Sequence, residues 1–456
     1  MRINVVIVTV FSLLVVAGGG RAQSQDSTKA PTPTPSSAVT YEDGSIRISK
    51  DAYVRFGGLL QPAVELQQDL PTATQDAGGS YSRRWQHQLF VRRMRFLFGG
   101  KVTQDFAFFF DFEAANIGRI TSGVKAMSPT VNLLDAQLTY IATQEFSIMS
   151  GLMLVGPTRN GLQSATSLMP VNYGCNTFIA NAGSPNGLDS YVGRDIAVMA
   201  RGLLAENRFE YRVSLSDGRS RALPQSLYSP VRFTTRVQFD FFDKQTPDLY
   251  SGIGSYYYTG TYVGQKNVLA VGGGADIQGA YTSVAADLFL DRPFGEGNGL
   301  TVSLGYQYLN GGSPDNADLL LRASTGMMDS VRAEAIARLI PKQSIFFAEA
   351  GYYIKTLNLQ PVVKYDLRAV NSTSVAQLNL PVNALSAQIT QAQDKLSESH
   401  IGVGLNYFPR GHNFNLKAIW EFVSRTQEGI ASASNRYPEF KKGYSLFTLQ
   451  GQWMFF

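Results

Sequence analysis

Few residues of this chain could carry out catalysis. It has three histidines, His87, His400 and His412, and a single cysteine, Cys175. Hydrolysis by a Ser/His or Asp/His pair needs a nucleophile, a base and a group that orients the base, and no motif such as GxSxG supplies them. No CxxC motif or Cys/His cluster indicates a metal site. We therefore expect neither an enzyme nor a bound cofactor or metal.

The chemistry that the sequence does offer is that of clustered charge. Three acidic residues, Asp105, Asp111 and Glu113, fall within one short segment. Arginines recur at even spacing in three segments, so that each set falls on one face of an extended chain: Arg93, Arg95, Arg208, Arg212, Arg232 and Arg236. Charges on the wall of a narrow aqueous passage tune its ion selectivity. The same charges could equally form salt bridges between strands, and the sequence leaves both interpretations open.

The elements that carry these charges are extended strands. Residues 206–217 alternate Phe209, Tyr211, Val213 and Leu215 with charged or small polar residues, and residues 231–241 repeat the pattern. Strict alternation over about ten residues is typical of a membrane-spanning strand. A soluble β-sandwich also alternates, but its strands are about half as long. Short and long connections also alternate, with long joins at 115–130, 156–193, 242–265 and 370–396, as short periplasmic turns and long external loops would produce.

The pattern predicts an all-β fold, a transmembrane antiparallel β-barrel with long external loops. Bacterial barrels have an even number of strands. Sixteen strands are therefore expected and eighteen are the alternative, although seventeen segments qualify. A barrel this wide cannot fill its interior with strand side chains, so an aqueous lumen is expected. The candidate strands are 52–67, 87–102, 104–114, 131–143, 145–154, 194–204, 206–217, 228–241, 266–278, 279–291, 298–311, 329–340, 342–355, 358–369, 397–408, 411–426 and 443–456.

Both ends of the chain predict export. Residues 1–22 combine a basic start, an apolar core and small residues before Ala22, which is typical of a secretory signal peptide. A Pro/Thr/Ser-rich flexible leader follows at 23–43, and the barrel is expected at 44–456. Residues 443–456 alternate apolar side chains and end on Phe456, which resembles the signal read by the outer-membrane assembly machinery. The predicted location is the outer membrane of a Gram-negative bacterium, with the lipid bilayer as a partner.

Composition excludes other classes. The formal net charge is +5, and removal of residues 1–22 would take away two arginines and no acid. This near balance argues against nucleic-acid binding. The single cysteine excludes an intrachain disulfide framework. Residues 381–396 place apolar side chains at helical spacing behind Pro381, which predicts a short amphipathic helix within a long loop.

Several segments resemble the phosphate-selective porin O/P family. They are Phe90-Val-Arg-Arg-Met-Arg-Phe-Leu-Phe-Gly, Leu133-Leu-Asp-Ala-Gln-Leu-Thr-Tyr, Gly161-Leu-Gln-Ser-Ala-Thr-Ser, His400-Ile-Gly-Val-Gly-Leu-Asn-Tyr-Phe-Pro and Asn415-Leu-Lys-Ala. The similarity extends over most of residues 50–456. It implies a sixteen-stranded, commonly homotrimeric barrel whose third external loop folds into the lumen and forms the constriction.

The resemblance also implies site residues. Arg92 and Arg93 match the family's double arginine, Arg55 matches an arginine of the preceding strand, and Asp135 matches the aspartate after Leu-Leu. In the inserted loop the family has a lysine just after Gly-Leu-Glu, whereas this chain has Ser164 after Gly-Leu-Gln. The predicted constriction residues are Asp135, Gln163, Ser164, Thr166 and Ser167, and the predicted anion-attracting pore residues are Arg55, Arg92, Arg93, Arg95, Arg159, Arg208, Arg212, Arg232 and Arg236.

Arg92 breaks the alternation of its strand. By strict alternation it would face lipid, which implies a β-bulge or an interfacial position. The function expected overall is passive diffusion of small hydrophilic solutes with a weak preference for anions, with phosphate or polyphosphate as the candidate anions. An outer-membrane lipase or protease and a non-conducting structural or adhesion barrel are the alternatives.

Overall fold

A computed structural model describes twelve ranges of the chain. They are residues 40–42, 45–68, 85–121, 124–127, 130–174, 193–218, 230–246, 256–279, 281–310, 342–370, 397–426 and 443–455. The predicted signal peptide, Cys175, the strand at 329–340, the helix at 381–396 and Phe456 lie outside these ranges. Among the described residues, no helix is long and apolar enough to cross a membrane.

Sixteen antiparallel strands form a closed ring. Each strand pairs with the next, and the last pairs with the first, as in the register of Phe447 with Leu66. The ring strands are β3 (Tyr53–Gln68), β4 (Trp85–Lys101), β5 (Phe106–Ile117), β8 (Val131–Ile141), β9 (Ser147–Leu154), β10 (Arg194–Leu204), β11 (Phe209–Ser216), β12 (Arg232–Asp240), β13 (Val268–Gln278), β14 (Tyr281–Phe294), β15 (Asn298–Leu309), β16 (Gln343–Tyr353), β17 (Leu359–Val370), β18 (Ser397–Arg410), β19 (Phe414–Thr426) and β20 (Gly443–Phe455).

The remaining elements are short. β1 (Thr40–Glu42) pairs with β2 (Ser45–Arg47), which in turn pairs with the first residues of β3 outside the ring. β1 falls within the segment predicted as a leader. β6 (Ile120–Thr121) and β7 (Val124–Lys125) form a small hairpin in the connection after β5. Two 3₁₀ turns lie at Asn160–Leu162 and Gly295–Gly297.

The predicted barrel of sixteen strands is confirmed, and the seventeenth segment is explained. β15 pairs directly with β16 in the register of Leu309 with Gln343. The ring therefore has no strand between β15 and β16, and the candidate strand 329–340 lies outside the described residues. The other sixteen candidates each coincide with a ring strand, although β11 and β12 are a few residues shorter than predicted.

Side chains alternate between the two faces of the wall as the sequence predicts. On β12, Arg232, Thr234 and Arg236 are buried, whereas Phe233 and Val237 are exposed. Apolar side chains dominate the outward face of every ring strand, and several aromatic rings stack there, such as Phe98 on Phe110 with centroids 4.9 Å apart. This outward apolar face is the one that contacts lipid in a membrane-spanning barrel.

One connection differs from the expected rhythm. Residues 241–267 join β12 to β13 at the same end of the barrel as the short turns 205–208 and 295–297, because successive antiparallel strands alternate in direction. The next connection, 279–280 between β13 and β14, lies at the long-loop end and has only two residues. The expectation that 242–265 forms a long external loop is therefore wrong. Alternation of connection length was assumed in the prediction, but only the strand direction determines at which end a connection lies.

The predicted bulge at Arg92 is confirmed. Gln61 pairs with Arg93 and Pro62 pairs with Val91, so that Arg92 is left out of the register. The Arg92 guanidinium lies close enough to Glu421 of β19 to interact with it electrostatically. The bulge therefore turns both Arg92 and Arg93 towards the lumen.

The outward face gives a direct test of the fold. Val198 lies in the middle of β10 and is 54% exposed on the outer surface. A cation at mid-membrane on the lipid face of a barrel costs about 2–4 kcal/mol. We expect Val198→Lys to lower the free energy of unfolding by this amount in urea titrations in lipid vesicles. Val198→Leu is the matched control, and equal stability of the two variants would contradict the assigned orientation.

Candidate pore constriction

The connection after β9 folds into the lumen, as predicted. We call residues 155–174 the inner loop. Its backbone carbonyls accept hydrogen bonds from side chains of the wall: Gln61 donates to Ala165 (3.3 Å), Gln452 to Thr166 (2.8 Å), Asn406 to Met169 (2.7 Å) and Lys417 to Leu168. Because buried carbonyl groups need partners, these donors on β3, β18, β19 and β20 fix the loop against the wall.

A second segment enters from the opposite end. Residues 256–267 leave the short-turn end and run through the interior, and we call them the cross-lumen segment. The Tyr257 hydroxyl donates to Asp135, Thr261 Oγ1 lies 2.8 Å from Thr301 Oγ1, and His412 Nε2 donates to the Thr261 carbonyl (2.9 Å). This segment was not among the site residues predicted from the sequence. The run of tyrosines at 256–258 in a long join was the available signal.

The two inner segments contact each other directly. Ser164 N donates to the Tyr258 carbonyl (2.9 Å), and Tyr258 N donates to the Leu162 carbonyl (3.0 Å), which forms a parallel bridge between Gln163 and Tyr258. Further on, Gly260 N donates to Ser167 Oγ (3.3 Å). The backbones approach closely here because residue 260 has no side chain.

Ion pairs occupy most arginines of strands β10–β14. Arg201 and Arg212 both bind Glu210, at 2.6 and 2.9 Å, and Arg232 binds Asp276 at 2.7 Å. Arg236 binds both oxygens of Asp287, at 2.6 and 2.8 Å. For these arginines, the salt-bridge interpretation of the charged wall is the one that the contacts favour.

A glycine makes room for one of these pairs. A Cβ atom on Gly272 would lie 2.8 Å from Arg236 Nη2 and 3.1 Å from Asp287 Oδ1. A side chain at residue 272 would therefore displace the paired groups. The unusual run Gly272-Gly273-Gly274 in β13 is thus explained in part by the space that the Arg236–Asp287 pair occupies.

Two predicted pore arginines have structural contacts instead. Arg159 is almost fully buried in the inner loop, where its guanidinium lies 3.9 Å from the Phe289 ring centroid and donates to Gln238 and Gln245. Arg208 lies in the turn before β11 and donates to the Phe241 carbonyl (3.1 Å). Neither position could be read from alternation, because both residues lie outside the strands.

The arginines of β4 retain more accessible surface. Arg93 donates to Gln61 (2.9 Å), lies 5.8 Å from the ring centroid of Tyr173 and stands 3.9 Å from Glu113. Arg95 binds Glu113 at 2.8 Å and also binds Asp111. The side chains of Arg93 and Arg95 are 10% and 11% exposed, against 3% for Arg201, Arg212 and Arg232. Arg55, at the start of β3, instead donates to Ser45 of β2.

The predicted constriction residues come together only in part. Ser164 and Thr166 keep part of their surface accessible, and their hydroxyl oxygens lie 2.7 Å apart. Gln163 and Ser167 are buried where the inner loop meets the cross-lumen segment. Asp135 is completely buried and binds Arg194 and Tyr257. Arg93 and the Ser164–Thr166 segment are linked through Gln61, which donates to the Ala165 carbonyl.

Two of the histidines have partners in the described part of the chain. His400 lies 2.7 Å from Glu398, and His412 is bonded to the cross-lumen segment. No group of three or more His, Cys, Asp or Glu residues among those described could hold a metal ion.

Comparison with known proteins places the chain by its fold alone. No protein-family model and no curated protein matches the sequence. Among solved structures, the Salmonella typhi OmpF complex with daunomycin matches with a TM-score of 0.51 and 11% identity, covering 90% of this chain and 100% of that chain. The outer membrane channel DcaP of Acinetobacter baumannii gives a TM-score of 0.47 and 12% identity, covering 89% and 99% of the respective chains.

The Arg236–Asp287 pair yields a stability prediction. Asp287→Asn removes the anion from a bidentate, buried pair and leaves the guanidinium uncompensated, which typically costs about 3 kcal/mol. We expect a loss of that size in urea titrations of the folded barrel. Glu296→Gln, in an exposed turn, is the control and should change stability by less than about 0.5 kcal/mol. A loss no larger than the control's would show that the pair is not buried.

His412 predicts a dependence of stability on pH. Burial and the nearby Lys417 lower the pKa of His412 from 6.5 to about 4. The unfolded chain therefore binds this proton first, and stability falls as pH drops from 6.5 towards 4, by up to about 3 kcal/mol.

The test compares urea titrations of wild type and His412→Gln at several pH values in that window. Glutamine retains a donor for the Thr261 carbonyl but does not titrate there. We expect the wild type to lose more stability than the variant on acidification, and parallel losses would contradict the assignment.

Proposed function

We propose that this protein is a porin of a Gram-negative outer membrane that allows passive diffusion of small hydrophilic solutes with a weak preference for anions. The closed ring with an apolar outer face supports insertion into lipid, since it leaves no open strand edge. The charged and amide side chains of the inner face support an aqueous path. The predicted signal peptide and the aromatic C-terminal strand support export to that membrane.

The anion preference rests on the β4 arginines. Arg93 and Arg95 face the lumen close to Asp111 and Glu113, and Arg92 faces it near Glu421. Of Arg93 and Arg95, Arg93 has the longer ion-pair distance, 3.9 Å to Glu113. Elsewhere on the wall the arginines of β10–β14 bind carboxylates and contribute little net field. The position of Arg93 in the lumen, with Gln61 as its acceptor and Glu113 at 3.9 Å, is the single observation that carries the proposal.

Phosphate is one candidate solute of the proposed porin. Ser164 stands where the resembling family has a lysine, and Arg159, the basic residue nearest to it in the inner loop, is held by the wall. The site therefore favours small anions in general, and phosphate would act as one of them. A homotrimer follows from the same resemblance and is proposed with it.

Planar bilayers test the proposal. The wild type should show discrete conductance steps and a reversal potential on the anion side in a salt gradient. Removing one charge about 8 Å from a permeating ion in water is worth about 0.5 kcal/mol, so Arg93→Gln should lower the anion-to-cation permeability ratio about twofold.

The matched control is Arg292→Gln, which removes the same charge from an exposed position at the short-turn end of β14. It should leave the ratio unchanged. A protein that never conducts would refute the porin function, and equal ratios in the wild type and Arg93→Gln would refute the role of the β4 arginines. Conductance that persists only as lipid hydrolysis would favour the enzyme alternative.

A further inference from the structure

The cross-lumen segment extends inside the barrel from β8 to the turn before β19. At one side Tyr257 binds Asp135 of β8, and at the other His412, in the turn between β18 and β19, binds the carbonyl of Thr261. Strands β9 to β17 lie on one side of the line joining these contacts, and β19, β20 and β3 to β5 lie on the other. Between these contacts the segment binds side chains of β11, β14 and β15, so it lies against this arc of the wall and faces the inner loop on its other side.

The segment is bound by polar contacts along its length. Arg212 donates to the Tyr256 carbonyl (2.9 Å), and the Tyr258 hydroxyl donates to Glu210 (2.8 Å). Asp291 accepts a hydrogen bond from the backbone of Tyr262 (2.8 Å). Ion-paired side chains of the wall thus hold the cross-lumen segment in one position, so that the charge network has a purpose beyond bracing strands.

The inner loop lies beside the cross-lumen segment. The two backbones form a bridge at Gln163 and Tyr258 and also lie close together at Gly260, where an added Cβ would lie 2.6 Å from the Ser167 carbonyl oxygen and 2.9 Å from Leu168 Cα. One of the two enters the lumen from the long-loop end and the other from the short-turn end. Neither can move towards the other without a clash.

The geometry points to a constriction made of two parts, in which the contact between the inner loop and the cross-lumen segment sets the width of the path. Strand side chains alone cannot fill a sixteen-stranded barrel, so the segments inside it determine the bore. The cross-lumen segment, which belongs to a connection at the short-turn end, is then a second determinant of which solutes pass. This inference rests on the proposed porin function.

Gly260→Val tests the inference by forcing the two segments apart. We expect single-channel conductance to rise about twofold or more, and larger uncharged sugars to enter in liposome-swelling assays, because a wider path offers less resistance. Gly295→Val is the matched control, since nothing lies within 4 Å of a Cβ added at that exposed turn. It should conduct as the wild type does.

A reversible tether tests the same contact in one folded protein. Ser167→Cys with Gly260→Cys, in a Cys175→Ser background, places two thiols where Gly260 N and Ser167 Oγ are now 3.3 Å apart. The Cβ added at residue 260 crowds the contact in both states, but the disulfide limits how far the segments separate. Oxidised channels should therefore conduct less than reduced ones, and reduction in the bilayer should raise the conductance.

The outcomes separate the two proposals. If the wild type does not conduct at all, the porin function fails and the inference falls with it. If the wild type conducts but neither Gly260→Val nor reduction of the tether changes conductance or the sugar cutoff, the porin function stands and the two-part constriction is refuted. If Gly260→Val fails to fold, as shown by loss of heat-modifiable mobility on gels, the reduction experiment decides alone.

Discussion

Every other feature of this molecule depends on the pairing of β20 with β3. In hydrocarbon, each unpaired backbone N–H or C=O group costs several kcal/mol, so a sheet can cross a membrane only when it has no edge. The register of Leu446–Gln450 with Ala63–Gln67 closes sixteen strands into a ring, so that every strand pairs with a neighbour on each side. Closure also separates an outer face for lipid from an inner face for polar groups, and this separation allows charge inside the protein.

A ring of this size creates the second problem, which is its interior. Backbone that enters the lumen brings carbonyl and N–H groups that need partners. The wall supplies them through amide and cationic side chains such as Gln61, Asn406 and Lys417, which bind the inner loop. The polar inner face can therefore form hydrogen bonds with water or with polypeptide. The proposed path for solutes is the part of the lumen that the inner segments do not occupy.

Charge in the lumen serves two purposes that differ by location. On β10–β14 the arginines bind carboxylates closely, and two of these pairs also contact the cross-lumen segment through Arg212 and Arg236. A buried cation that has lost water needs an anion or several acceptors nearby, which limits the field it can offer a passing ion. On β4, Arg93 donates to Gln61 and has a carboxylate, Glu113, only at 3.9 Å.

The sequence by itself determined the fold and the face of each strand. Alternation over whole strands, as at Phe233, Val237 and their charged neighbours, is a local signal, because a period of two places every second side chain on the same face whatever the rest of the chain does. The bulge at Arg92 was readable for the same reason, since two adjacent arginines break that period. The predicted number of ring strands, sixteen, was also correct, although seventeen segments qualified.

Only the tertiary structure decided how the interior is filled. Whether Arg236 meets a solute or Asp287 depends on the register between β12, β13 and β14, which alternation does not specify. The cross-lumen segment was assigned to the wrong end because connection length does not reveal strand direction. Its contact with the inner loop at Gly260 joins residues nearly a hundred positions apart, and such contacts arise from closure of the ring rather than from any local pattern.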